Sequence, residues 1–472
     1  MSTLSVPASL TQFNFEPQPA AQKLLDALIN QFLVRCPGAA DLAARMTEET
    51  GTRFKDWIDH IQVPPTADIR AKLLGVGFSH RPQPGAEQCF VHEGAMFPSV
   101  VIGGPDSAKG GATRVAVKVD SVADFLAVWQ IDDEEVIGEP LGQLRMAPAF
   151  RGRGVEMWVI ERHGYRGFEP PEQDADKAVR SLRHLEALRR RKRDFRTEAE
   201  GFAILNVLID AAVKDLGPHW ACDLFFASER EYWQRRNRAG QVQYARQAKL
   251  GLGWANHDHH TYRSSRASFT GLIAIQEKLG MRPREAFYAG AEAGWGAQVM
   301  ENPVTQITTF NDVDLSPEEL MGDFAHDPSV LVERDELGTV GLWCALHGEA
   351  MLQAGMHHLE CQFDHHALVT QLEHDGGIRT MAPFTTFPYL RQAFTEGERW
   401  RVDESRIERL LSRGFIDREQ ADHFRRDGAL GSHLENLERN DGFKGFNQEG
   451  VSDIIARTDP RRAATTLVGT NA

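Results

Sequence analysis

The chain has 472 residues, of which 42% are hydrophobic and 25% are charged, and its formal net charge is −14. This length predicts two or three structural units with a sizeable core, and the acidic balance argues against nucleic-acid binding, which needs a basic face. No run approaches the roughly 18 apolar residues that cross a bilayer, and the start of the chain lacks the pattern of a signal peptide. We therefore expect a soluble, cytoplasmic protein with no nucleic-acid or membrane partner.

Six segments of different pattern follow one another along the chain. Apolar residues at helical spacing predict N-terminal helices, and a charged central stretch of helical period predicts a helical insertion between two strand-rich halves. In the first half, Ser121 followed by Asp124 predicts the start of a helix. Short strands interleaved with one or two helices indicate the α+β class. The predicted segments are a tail at 1–19, N-terminal helices at 20–50, a first βαβββ-like half at 51–170, the helical insertion at 171–250, a second βαβββ-like half at 251–402, and C-terminal helices with a loop at 403–472.

The stretch "GWANHDHHTYRSSR", residues 253–266, concentrates potential metal ligands in four consecutive positions: His257, Asp258, His259 and His260. In a strand, neighbouring side chains point to opposite faces, so His257 and His259 face one way and the other two residues face the other way. One ion therefore cannot take all four residues as ligands, and further ligands must come from elsewhere in the chain.

A similar pattern occurs earlier in the chain. "DHI" around His60 precedes a predicted helix ending in "LGV", and "DHH" around His259 precedes one ending in "LGM". Each half then reaches a glutamate on a predicted strand, Glu156 or Glu360, 96 or 101 residues after the histidine. If the two histidine-bearing strands pair near the centre of a curved sheet, His60 and His259 converge, and Glu360 can supply the third ligand.

Several alternatives to this set remain open. A single histidine such as His60 is more often a hydrogen-bonded core residue than a ligand, and a salt bridge is the alternative role of Glu156. His257 and His260 are alternatives as ligands, as donors to the ligands or as substrate contacts. The reserve ligands are His357 and His358 in "GMHHLE" and His365 and His366 in "FDHHALV".

Two neutral imidazoles and one carboxylate form the facial triad of Fe(II) oxygenases, which leaves positions open for substrate and O2. The same atoms suit Mn or Zn, and a catalytic Zn held by two histidines and one glutamate is the main competitor. The helical HExxH motif, the P-loop pattern and the GxSxG elbow are absent from the sequence. The sequence thus predicts a mononuclear metal site, with Fe(II) as the first choice.

Paired βαβββ modules, a strand-borne DHx motif at each module start, a helix ending in Leu-Gly and a strand glutamate resemble the vicinal-oxygen-chelate superfamily. Within it, the chain is most similar to the 2-oxoadipate dioxygenase/decarboxylase family. That similarity is carried, in short islands over most of the chain, by the helix pair "LLDALINQFLVRCPGAADLAARM", by His60 before its helix, by His259 followed four residues later by Arg263 in "HHTYR", by "APFTTFPYLRQAF", and by "GVSDII" at 450–455.

The resemblance implies a fold of paired βαβββ modules that form a curved mixed sheet around the metal site, with helical N-terminal, central and C-terminal additions. It also implies the site residues. They are His60, His259 and Glu360 as Fe(II) ligands, Arg263, Val451 and Ser452 beside the substrate carboxylates, and Arg263 and Ser452 as catalytic residues.

The chain departs from the family at two places. Pro64 stands where the family has an arginine four residues after the first histidine, and the family's glutamate lies closer to its second histidine than Glu360 lies to His259. These departures bear on the identity of the substrate more than on the presence of a metal.

The leading expectation is a non-haem Fe(II) dioxygenase that oxidatively decarboxylates and hydroxylates a small 2-oxo acid. Its partners would be that acid and O2, and the sequence leaves its oligomeric state open. Because one fold can host several reactions, the first alternative is a metal-dependent lyase, isomerase or extradiol-type dioxygenase. The second alternative is a metal-free binding protein.

Overall fold

The computed structural model describes residues 15–103, 112–172, 175–289, 294–447 and 459–461, and within these ranges the protein is α+β with two mixed sheets. The helices are Pro19–Arg35, Pro37–Thr50, Ile69–Gly75, Val122–Val128, Ala175–Arg189, Glu198–Leu216, Pro218–Gln234, Arg238–Ala248, Phe269–Lys278, Thr339–His347, His365–Gly376, Glu404–Ser412 and Arg418–Asp427, with short 3-10 turns at Phe54–Trp57 and Glu319–Met321 and a π-helical turn at Ala350–Ala354. The strands are β1 Ile58–Val63, β2 Ser79–His80, β3 Cys89–Val91, β4 Ser99–Ile102, β5 Thr113–Lys118, β6 Leu144–Gly152, β7 Val155–Arg162, β8 His257–Arg263, β9 Arg282–Tyr288, β10 Trp295–Glu301, β11 Thr308–Asp314, β12 His358–Gln362, β13 Thr385–Phe387, β14 Leu390–Phe394, β15 Glu398–Trp400 and β16 Ala429–Arg439.

The first sheet has seven strands in the order β2-β3-β4-β1-β5-β7-β6. One βαβββ module consists of β1, its helix, β2, β3 and β4, and a second consists of β5, its helix, β6 and β7, with a single bridge between Ile137 and Met146 in place of one strand. The hydroxyl of Ser121 accepts a hydrogen bond from the Asp124 N–H at 3.2 Å, which confirms the predicted start of the second helix. The two modules join through the antiparallel pair β1–β5.

The second sheet has nine strands, eight of them in the order β13-β14-β16-β12-β8-β11-β10-β9, and β15 pairs with β16. A third βαβββ module consists of β8, the helix Phe269–Lys278, β9, β10 and β11. The fourth consists of β12, the helix His365–Gly376, β13, β14 and β16. These modules join through the antiparallel pair β8–β12, as the first two join through β1–β5.

The predicted α+β class with paired βαβββ modules is confirmed, with two corrections. Each half contains two modules rather than one, so β1 and β8 lie in different sheets and do not pair: β1 lies between β4 and β5, and β8 between β11 and β12. Strand β16 also lies beyond residue 402, where only helices and a loop were expected. The reason is that two helices, Glu404–Ser412 and Arg418–Asp427, are inserted ahead of the last strand of the fourth module.

A partly buried ion pair joins the first strand of the first half to its last strand. Arg162, the final residue of β7, donates from Nε and Nη2 to the two carboxylate oxygens of Asp59 at 2.8 and 2.9 Å. Its Nη1 donates to the carbonyls of Tyr165 and Gly167 in the loop that follows. Every hydrogen-bonding nitrogen of this guanidinium therefore holds either the strand or the loop.

The second half repeats this ion pair. Arg439, the final residue of β16, donates from Nε and Nη2 to Asp258 at 2.9 and 3.1 Å, and its Nη1 donates to the carbonyls of Phe443 and Gly445. The Asp–Arg pairs Asp59–Arg162 and Asp258–Arg439 thus occupy matching places in the two sheets. Removing either arginine would take the guanidinium from a desolvated carboxylate and leave that carboxylate with its histidine as the remaining basic partner, which is unfavourable.

Each sheet has its own hydrophobic core. The N-terminal helices pack with the first sheet through residues such as Leu25 and Phe32, and the central helices pack with the second sheet through residues such as Trp220 and Phe225. None of the helices in the described ranges combines the length and the apolar character needed to span a membrane.

Candidate metal centre

Two neighbouring parallel strands carry the same tripeptide, His-Leu-Glu, at 358–360 in β12 and at 433–435 in β16. The strands pair in register, so Glu360 lies opposite Glu435. On the other side of β12, the antiparallel strand β8 places His259 opposite Glu360. The three residues therefore come from three adjacent strands, are buried, and offer one ligand atom each within 4.8 Å of one another.

The imidazole of His259 is held in one orientation by its neighbours. Its Nδ1 donates to Asp258 Oδ1 at 2.7 Å, and Asp258 is fixed in turn by Arg439 and by Gln362 Nε2 at 3.1 Å. This places His259 Nε2 3.2 Å from Glu360 Oε1. A carboxylate on the far ring nitrogen is the usual way in which a metal-binding histidine is oriented, so Nε2 is the atom presented to an ion.

The two oxygens of Glu360 have different surroundings. Oε1 accepts a hydrogen bond from Thr261 Oγ1 at 2.9 Å and lies 2.9 Å from His358 Nε2 and 3.2 Å from His259 Nε2. Oε2 is buried and accepts no hydrogen bond from an N–H or hydroxyl group among the described residues. The carboxyl group of Glu435 is in hydrogen-bond contact with Glu360, so either a proton shared between the two carboxyl groups or a cation would satisfy these oxygens.

The electrostatics of the group favour an added positive charge. Burial by itself would lower the pKa of His259, but the carboxylates of Glu360 and Asp258 outweigh it and raise that pKa to about 10. Burial and the charge of Glu360 raise the pKa of Glu435 well above its usual value, whereas His259 and His358 overcome burial and lower the pKa of Glu360. These shifts favour the protonated forms of His259 and Glu435 when no ion is bound, and a divalent cation would replace that positive charge.

A buried arginine without hydrogen bonds lies on the same face of β8. Arg263 is four residues after His259, roughly 13 Å along a strand, and its Nε has no partner among the described residues. Its nearest carboxylate, Asp312 on β11, is 3.9 Å away, which is too far for a hydrogen bond. Burial raises the pKa of Asp312 to about 7, with a further contribution from Glu360. This pair is therefore a poor salt bridge, and the guanidinium is free to bind an anion.

These residues suit a divalent ion. One imidazole nitrogen and carboxylate oxygens are ligands for Fe(II), Mn(II) or Zn(II), with carboxylates favouring the harder ions. His358 Nε2, in contact with Glu360, is a nearby second imidazole. The close approach of two buried carboxyl groups, Glu360 and Glu435, beside His259 is the observation that argues most directly for a bound cation in this group.

The structure brings together two of the three predicted ligands, His259 and Glu360, and places His60 elsewhere. His60 is on β1 in the first sheet, where its Nδ1 donates to Asp59 at 2.7 Å. By register, Ala116 lies opposite His60 and Trp158 lies opposite Ala116. These positions correspond to Glu360 and Glu435, so the first sheet has no carboxylate at either of them.

Of the other predicted residues, the reserve ligand His358 contacts Glu360, and the remaining ones in the described ranges lie outside the His259–Glu360–Glu435 group. Glu156 corresponds by register to His433 rather than to Glu360, and it forms the alternative salt bridge, accepting from Arg114 Nε at 2.9 Å. His257 donates from Nδ1 to the Trp254 carbonyl, and His260 packs on Phe226. The remaining positions are His357, which stacks on Trp343; His365 and His366, at the start of a helix; and Val451 and Ser452, which lie outside the described residues.

Glu435 was missed by the sequence analysis, although the sequence contains a signal for it. The tripeptide His-Leu-Glu occurs at 358–360 and again at 433–435. The second copy was not recognised because its surroundings were interpreted as helices and a loop. Repeated tripeptides on strands of one module are a pattern worth searching for when strands cannot be delimited.

Comparisons with known proteins found distant structural similarities. No family model matches the chain, and no curated protein matches it. A candidate hydrolase from Shewanella frigidimarina aligns with 48% of this chain and 97% of its own at 14% identity and a TM-score of 0.31. Methylmalonyl-CoA epimerase from Mycobacterium tuberculosis aligns over 39% and 88% at 13% identity and a TM-score of 0.22, and a variant of 4-hydroxymandelate synthase from Streptomyces coelicolor over 85% and 98% at 12% and 0.27. Scores this low establish neither a family nor a function.

Metal binding should release protons, because a divalent ion must displace those on His259 and Glu435. We expect the affinity of the metal-free protein for Mn(II) or Zn(II) to rise by more than ~10-fold per pH unit between about pH 6 and pH 8. Competition against a chelator across that range measures this slope. Glu435→Gln removes one of the two displaced protons and should reduce the slope by about one proton, whereas an affinity independent of pH would show that neither residue is a ligand.

Proposed function

We propose that the protein is a mononuclear Fe(II) dioxygenase that acts on a small 2-oxo acid, with the ion held by His259, Glu360 and Glu435. The observation that carries the proposal is the convergence of three ligand atoms from adjacent strands within 4.8 Å. The proposal keeps two residues predicted from the sequence and replaces His60 with Glu435. Four βαβββ modules joined in pairs support the resemblance to the vicinal-oxygen-chelate superfamily.

At such a site, some residues would orient the ligands and others would coordinate the ion. Asp258 and Arg439 fix the tautomer and the orientation of His259, so the ligand nitrogen is positioned before the ion arrives. The three proposed ligands lie on one face of the sheet, the arrangement of a facial triad, in which three coordination positions of the ion are left for other molecules. Fe(II) bound there would supply positions for a chelating 2-oxo acid and for O2, together with electrons for oxygen reduction.

Arg263 is suited to hold the distal carboxylate of the acid. Its guanidinium is buried, donates no hydrogen bond to a described residue, and lies on the same strand and face as His259. Arginine binds carboxylates through two parallel N–H donors, which fixes the direction of the substrate as well as its position. Val451 and Ser452 remain predicted substrate contacts.

A second candidate function has one observation in its favour. Asp312 has a pKa raised to about 7 and lies close enough to Glu360 and His259 for their charges to affect it. A carboxylate with a pKa near neutrality suits a general base. A metal-dependent lyase or isomerase that abstracts a proton through Asp312 would use the same ligands without O2.

Metal content and oxygen consumption separate these functions. Protein purified without oxygen and loaded with Fe(II) is expected to bind about one ion per chain and to consume O2 with 2-oxoadipate or a related 2-oxo acid. His259→Ala and Glu435→Ala should each lose the ion, since each removes one of three ligands. His60→Ala is the matched control, because it removes the corresponding histidine of the first sheet, and it should keep the ion.

If His259→Ala retained a full complement of metal, the proposed metal centre would be wrong. Turnover of a 2-oxo acid without O2 uptake, abolished by Asp312→Asn, would instead favour the lyase or isomerase.

Replacing Arg263 should affect substrate binding more than metal binding. In Arg263→Met we expect KM for the 2-oxo acid to rise ~10- to 100-fold, the effect of losing a charge-assisted bidentate contact, with the iron content unchanged. Arg263→Lys keeps the charge but not the planar pair of donors, so its KM should lie between those of the wild type and Arg263→Met. Steady-state kinetics at a fixed O2 concentration measure the effect, and an unchanged KM in Arg263→Met would remove this residue from the substrate site.

A further inference from the structure

A partly open cavity lies between the two sheets. It is a cavity of about 850 Å³, lined by the first residues of β1 and β8 and by the last residues of β5, β7 and β16. None of His259, Glu360 and Glu435 lines it. Its volume falls in the range of small-molecule sites, and it is separate from the candidate metal centre.

Several cations that line this cavity are already paired. Arg162 and Arg439 are occupied by their Asp–Arg pairs and by loop carbonyls. Lys444 donates to both carboxylate oxygens of Glu301 at 3.0 and 2.9 Å. None of these three can bind a ligand without giving up a contact that the fold uses.

Lys118, at the end of β5, differs from them. Its ammonium forms no hydrogen bond or ion pair with any residue in the described part of the chain, although the residue is only half-buried and lines the cavity. The carboxylates that act on it electrostatically are Asp56, Asp59 and Asp258. Each is already bound by an arginine, so Lys118 has no counter-ion of its own.

Gln362 holds the position in the second half that corresponds to Lys118 in the first, and the two side chains have different roles. Lys118 is two residues after Ala116, as Gln362 is two residues after Glu360, and Ala116 and Glu360 hold matching register positions. Gln362 donates to Asp258 and so supports the Asp–Arg pair of its half. Lys118 gives no such support to Asp59, so the fold itself does not account for its side chain.

Arg230, on the helix Pro218–Gln234, is another cation of the cavity without an ion pair among the described residues, as are Lys55 and Arg166, which donate to Asn440 Oδ1 and to the Pro303 carbonyl. Arg230 is 8% exposed, and in the described ranges its one hydrogen bond is from Nη1 to His260 Nε2 at 3.3 Å, with no carboxylate within 4.0 Å. Nearby Asp120 accepts from the Trp254 N–H, and Asp223 is bound to His163. A buried arginine with no carboxylate in ion-pair contact is stabilised when an anion binds to it directly.

Lys118 and Arg230 lie near the same turn, which ends at His257. Arg230 Nη1 is 3.3 Å from His260 Nε2, and the rings of His260 and His257 are 5.3 Å apart. Asp120, two residues after Lys118, accepts a hydrogen bond from the Trp254 N–H, and His257 Nδ1 donates to the Trp254 carbonyl. Trp220, Leu224 and Trp254 provide apolar wall beside these cations. The combination of cations that lack ion pairs with aromatic surface is typical of a site for an organic anion.

We propose that this cavity binds a small organic anion, with its carboxylate or phosphate group held by Lys118 and Arg230 and its apolar part against Trp220 and Trp254. The site is distinct from the metal centre and does not depend on the proposed oxygenase function. Its position between the two sheets means that an occupant would contact both halves of the protein.

Calorimetric titration of the full chain with malonate and with inorganic phosphate, at constant ionic strength, tests this site. We expect saturable binding of at least one of the two anions, and the tighter one identifies the chemical class of the natural ligand. Lys118→Met should weaken that binding ~10-fold or more, because a charge-assisted contact is lost. Lys444→Met is the matched control: it removes a lysine of the same cavity that is already neutralised, and it should leave the affinity within about twofold.

His259→Ala distinguishes this cavity from the metal centre and should bind the anion as the wild type does. The proposal is overturned if neither anion binds saturably, if Lys118→Met binds as tightly as the wild type, or if binding is lost in His259→Ala. Because Lys118 is half-buried and makes no contact that the fold needs, its replacement keeps the test independent of any folding defect in Arg230 variants.

Discussion

The buried pair Asp258–Arg439 is the interaction on which the candidate site depends. It ties the first strand of the third module to the last strand of the fourth, and it turns Asp258 toward His259 Nδ1. Because Arg439 also holds the loop after β16, the orientation of one imidazole is coupled to the pairing of strands and to the path of the chain beyond them. A buried ion pair is a poor source of net stability, and here its effect is to fix a geometry.

The two halves of the protein share this device but differ in the chemistry next to it. Asp59 and Arg162 hold His60 as Asp258 and Arg439 hold His259. The positions that carry Glu360 and Glu435 in the second sheet carry Ala116 and Trp158 in the first. The first half therefore keeps the support for a histidine without the carboxylates that a metal requires. The duplicated fold thus provides two scaffolds, of which the second has the ligand set.

Local sequence pattern sufficed to predict the α+β class, the module that starts at His259 and the position of Glu360 on a strand. Alternation and helix starts depend on neighbouring residues, so they can be recognised locally. Local pattern could not predict which strands pair, because pairing joins residues hundreds of positions apart. His60 and His259 do occupy matching positions of a repeated module, but in two different sheets. The sequence pattern was wrongly interpreted as two ligands of one ion. Glu435 was missed because helices separate its strand from the rest of the module, so no local pattern assigned it to the sheet.

Anomalous diffraction from crystals of the metal-loaded protein tests the central claim most directly. We predict one strong metal peak about 2.0–2.2 Å from His259 Nε2 and from carboxylate oxygens of Glu360 and Glu435, with Asp258 still bound to the far nitrogen of the imidazole. A peak beside His60 in the first sheet, or a second sheet without a metal while the ion is bound elsewhere, would contradict the account.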